Sequence, residues 1–142
     1  MAWANIKSKV KSKLESIDSI QEVQDYPTEE FNGFPAAVIE TVRNESDFET
    51  TNENRRSYVF NIYLLQEIES KGVKKAREII EEVVDDVMEA FDEDQQLSGI
   101  SLPSNEVMVI SLPALSRIYT SEKGKYMVGE VELKIITSFS IS

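Results

Sequence analysis

Trp3, Ile6, Val10, Leu14 and Ile17 recur every three or four positions, the period of a helix that buries a single stripe. After it, Ile20 to Tyr26 reads as a short strand ended by Pro27, which cannot donate to a ladder. Ala36 to Val42 follows a Gly33-Phe34-Pro35 turn as a second strand, and Arg56 to Leu65 forms a third. In that third strand Tyr58, Phe60, Ile62 and Leu64 fall on one face, with Val59, Asn61, Tyr63 and Leu65 on the other. Large side chains on both faces predict a central strand between two layers. Ser70, Gly72 and Val73 then open a second helix whose inward positions are Val73, Ala76, Ile80, Val83, Val84, Val87 and Phe91. Beyond a Gly/Pro/Ser-bearing loop from Leu97 to Ser104, Val107 to Leu112 predicts a strand that stops before Pro113. Tyr126 to Phe139 predicts the last strand, alternating Val131, Leu133 and Ile135 with Glu130, Glu132 and Lys134, so that one face is wet.

The order helix, strand, strand, strand, helix, strand, strand predicts an α+β fold: a mostly antiparallel sheet with two helices packed on one face and a projecting polar β-hairpin or loop. Residues 1–142 are read as one domain, with the polar arm at about 43–56. The arm is the most informative segment. Thr41 to Arg55 contains only Val42 and Phe48 as clearly apolar residues, and a structureless connection longer than about 12 residues is generally functional or disordered. If Glu40 to Phe48 pairs with Asn52 to Tyr58, the polar tip projects beyond the core. The plainer alternative is an irregular surface loop.

Charge changes the picture by exclusion. The net charge is −11, unevenly spread: Lys7, Lys9, Lys11 and Lys13 precede any acid, whereas residues 15–54 hold eleven acids against Arg43 alone. No extended basic face exists to grip phosphates, so direct DNA binding is disfavoured. Such acidity serves solubility, and it also suits a surface past which DNA slides. No apolar run approaches the roughly 18 residues of a membrane span, and the helically spaced N-terminus lacks a signal-peptide core. No membrane association is expected.

Catalytic chemistry is thinned out in the same way. The chain has no His and no Cys, which removes Ser-His-Asp and Cys-His nucleophilic sites and the common zinc sites. Its glycines, at 33, 72, 99, 124 and 129, form no phosphate-binding loop. Glu78, Glu82, Asp85 and Glu89 recur at helical spacing opposite the apolar stripe and read as a solvated face. Asp92 to Asp94 lacks EF-hand spacing. No catalytic residue, metal ligand or cofactor is assigned, and the chain is not expected to be an enzyme.

The amphipathic first helix, Phe31-x-Gly33-Phe34-Pro35-Ala36-Ala37, the polar Thr/Asn-rich connection, Arg55-Arg56-x-Tyr58-x-Phe60-x-Ile62, the long acidic helix and the closing strand together resemble the tail terminator family of long-tailed phages, also called minor tail protein U-like or tail completion proteins. The resemblance implies a non-enzymatic virion protein, made in the host cytoplasm, that forms a hexameric ring on the tail tube. It would end tube polymerisation and present a surface to the head connector or head-closure protein, with DNA passing through the lumen without specific binding. Two surfaces that close by rotation are what such a ring needs. Within the arm, Asp47, Phe48, Glu49, Arg55 and Arg56 are the candidate partner-binding residues, because aromatics and Arg are enriched at interface hot spots. Other readings stay open: a head-closure or tail-joining protein of the neck, an acidic module that mimics DNA, and a carboxylate-metal enzyme.

Overall fold

The computed structural model describes residues 2–28, 30–48, 53–98, 100, 102 and 106–140. Two helices, α1 (Ala2–Glu15) and α2 (Val73–Glu93), accompany strands β1 (Glu22–Gln24), β2 (Ala36–Phe48), β3 (Glu53–Glu67), β4 (Glu106–Thr120) and β5 (Tyr126–Ser140). The sheet has five strands in the order β1-β2-β3-β5-β4. The short β1 runs parallel to β2, and every other pairing is antiparallel. The fold is α+β, with the elements in the order that the periodicity predicts.

The alternation along β3 builds the core. Tyr58, Phe60, Ile62 and Leu64 are buried beside Ala37 and Ile39 of β2 and Val131, Leu133 and Ile135 of β5. Onto this face α1 packs Ile6, Val10 and Leu14, and α2 packs Ala76, Ile80, Val83, Val84, Val87 and Phe91, in one continuous cluster. Gly129 of β5 lets α2 come close. A Cβ there would stand 2.8 Å from Ile80 Cγ2 and 2.9 Å from Val84 Cγ2. Lys13 Nζ meets Asp94 Oδ2 at 2.8 Å and ties the end of α1 to the end of α2.

Three sequence expectations change. Among the described residues no helix covers the other face of β3: Val59 is buried there, but Tyr63 and Leu65 are only half-buried, flanked by Val38, Val128, Tyr119 and the Pro27-Thr28 segment. Val73, expected inward, is 57% exposed, because it is the first helical residue after Gly72 (φ 81°) and precedes the point where α2 reaches the sheet. The strand expected to stop at Leu112 runs on through Pro113 to Thr120. β4 is an edge strand, where a missing N–H is tolerated. Register shifts between Met108 and Ile110 and between Leu115 and Arg117 further irregularise it.

Candidate functional site

The polar connection is a hairpin. β2 and β3 stay paired from Ala36 opposite Leu65 out to Phe48 opposite Asn54, with a register shift between Thr41 and Arg43 that leaves Val42 as the extra residue. Val42 is 41% exposed, and a bulge of this kind bends the strand and increases its twist. Among the described residues the core cluster reaches Ile39 on β2 and Tyr58 on β3 and goes no further toward the tip. The segment beyond those two residues is therefore an arm outside the core. It is broader than a bare hairpin: Glu53 to Ser57 also pairs with Ile136 to Ser140 of β5, and β5 in turn pairs there with Glu106 to Met108 of β4. β1 covers only Ala36 to Val38, so β2 forms the outer edge of the arm.

Buried polar groups occupy the arm's root. Tyr58 Oη donates to Glu106 Oε2 at 2.8 Å, and Thr137 Oγ1 donates to the same oxygen at 2.5 Å. All three side chains lie within the protein. Two hydroxyl donors on one carboxylate oxygen supply the partners that a buried acid requires. The Trp3 ring stands edge-on to Tyr58 and Phe60, at centroid distances of 5.0 and 5.2 Å, so α1 braces the same root. Burial, and then the bond to Glu106, push the Tyr58 hydroxyl above the usual tyrosine range, while a hydrogen bond with Arg56 opposes the shift.

The five expected contact residues separate on this framework. Backbone pairing sets Asp47 opposite Arg55 and Phe48 opposite Asn54. Glu49 lies outside the described residues. Arg55 is exposed and Arg56 half-buried. Because strand side chains alternate, Arg56 shares the helix-covered face with Tyr58, and Arg55 lies on the helix-free face. The adjacent arginines therefore serve different surfaces. Glu106 gave no sequence signal, since a lone Glu before an apolar run reads as a solvated strand start.

A second feature lies at the far end of the sheet. Phe31, Phe34 and Tyr126 form a ring cluster, with centroids 5.7 Å apart for Phe31–Phe34 and for Phe34–Tyr126. Beside it an open cleft of about 400 Å³ is lined by Thr28, Phe31, Leu65, Lys123, Lys125 and Tyr126, among others. Lys125 Nζ lies 5.2 Å from the Tyr126 ring centroid, within cation–π range. A smaller cleft of about 180 Å³ opens on the helix-free face between Pro27, Val38, Tyr63 and Tyr119. There Tyr63 Oη donates to Glu40 Oε1 at 3.0 Å, and burial is the main cause of its raised pKa. Among the described residues no group of three or more acidic side chains is placed to hold a metal ion, and no helix is long and apolar enough to cross a membrane.

Neither a protein-family model nor a curated protein matches the sequence. Among solved structures, the fold is similar to a chain described as part of the virion of a native gene transfer agent particle. That likeness has a TM-score of 0.59 at 10% identity and covers 96% of this chain and 97% of the other. At such identity the similarity is one of fold.

Proposed function

We propose that this protein is a structural component of a phage-like virion. Its finer role in this reading is that of a ring in the neck that caps the tail tube, ends tube polymerisation and supplies a surface for head–tail joining. The observation that carries the proposal is the fold shared from end to end with a chain of a gene transfer agent virion. The arm supports the same reading, since it places exposed strand edge and charge beyond the core, where another subunit or the tube can pair with them. The net charge of −11 suits a lumen through which DNA slides without being held. In this reading the partners are further copies of the chain in a hexamer, the tail tube protein, and the head connector or head-closure protein. The chain works without cofactor or catalysis.

Mass measurement of the purified chain, alone and with purified tail tubes, tests the proposal, followed by electron microscopy of the tube ends. A six-membered ring seated on one tube end, with tube elongation arrested, is the expected result. Rings that ignore the tube and bind the head connector would reassign the protein to head closure. A chain that stays monomeric with tube and with connector would overturn the neck reading.

A further inference from the structure

The helix layer carries opposite charges on its two lateral flanks. On α1, Lys13 leans toward α2, where its Nζ meets Asp94. Successive helical positions turn by about 100°, so Lys9 shares that flank with Lys13. By the same rotation Lys7 and Lys11 occupy the other flank, away from α2, and the exposed Glu15 ends that flank beside Glu22 of β1. On α2, Asp86 faces α1, accepting a hydrogen bond from Ser19 Oγ at 2.8 Å. Glu81, Asp85 and Asp92 are exposed and lie away from α1, on the side of β4. Lys74 and Arg77 sit at the start of that flank, and Arg77 is held by Glu81 at 4.0 Å, so negative charge dominates the later turns.

β1 and β4 are opposite edges of the sheet, so the lysine flank and the acidic flank end up on opposite sides of the molecule. A two-fold contact through the lysine flank sets Lys7 and Lys11 against the same residues of the other copy. A head-to-tail contact sets lysine against carboxylate and can close by rotation. The acidic side also bears Leu115 of β4, 45% exposed and set opposite the helix-facing Val131, apolar surface of the kind that an interface centre covers.

We infer that the docking partner of this acidic side is a second copy of the chain, whose Lys7 and Lys11 flank seats against Glu81, Asp85 and Asp92 beside the β4 edge. The inference rests on the ring proposed above and specifies which surfaces meet.

Two folded variants test it: Lys7→Glu with Lys11→Glu, and Asp85→Lys with Asp92→Lys, each checked by circular dichroism and then by native mass. Each alone should run as a monomer at a concentration where the unaltered chain assembles. An equimolar mixture should regain the ring mass, because every contact between unlike variants is then attractive. Tagging one variant should show strict alternation, which only an even-numbered ring permits. Either variant assembling alone like the unaltered chain, or a mixture that stays monomeric, would overturn the inference while leaving the ring in place. An unaltered chain that never assembles would remove both.

Discussion

At the scale of single residues, stability rests on contacts with little tolerance. Gly129 has room for no Cβ: two methyl groups of β-branched residues on α2 stand within 3.0 Å of where it would sit, and such side chains have few alternative rotamers. Gly129→Ala should therefore cost about 1–3 kcal/mol by overpacking, read as a lowered urea midpoint at unchanged slope. Asp94 is the clearest electrostatic case. Lys13, and then the hydroxyl and backbone N–H of Ser98, hold its carboxyl well below the usual range. A depressed carboxylate contributes stability that is complete above its unfolded pKa of about 3.9 and is lost as pH falls toward the folded value. The unaltered chain should thus lose more Tm between about pH 5 and pH 2 than Asp94→Asn does. Equal losses would show that the pair contributes nothing. Neither contact was visible in the sequence. Lys13 and Asp94 are 81 positions apart, and Gly129 looks like any glycine in a strand until α2 is laid across it.

At the scale of elements, α1, α2 and β5 follow from periodicity because each buries one side and exposes the other. The arm did not, because its strands are polar on both faces. Their order comes from pairing with β3 and β5, partners that a local pattern does not reveal. Truncation tests its role. Ser46 stands opposite Arg56, so replacing residues 47–55 with Asn-Gly closes the hairpin in register with a favoured turn. Tyr58, Glu106 and Thr137 remain in place. The shortened chain should unfold cooperatively near the original midpoint and fail to form rings or cap tubes. Loss of cooperative unfolding would show instead that the arm is part of the folding core. Pro113 gives a related lesson: a proline reads as a strand end, yet an edge position allows the strand to continue through it.

At the scale of the whole molecule, charge predicts behaviour toward DNA. With a net charge of −11 and no counterions to release from phosphate contacts, duplex DNA should show no mobility shift with the protein at about 0.15 M salt. A shift that vanished steeply with added salt would reveal a basic surface and undo the picture of a lumen that only lets DNA pass. The sequence by itself determined the order of elements, the helix-facing stripes and the absence of His- and Cys-based chemistry, since periodicity and residue identity are local properties. The tertiary structure alone decided three things. The polar connection became a paired arm, Glu106 was brought onto Tyr58 and Thr137, and the lysine and acid flanks were set on opposite sides of the molecule. Each depends on which strand lies beside which and on how each helix is rotated. Those choices are fixed by packing among residues distant in the chain.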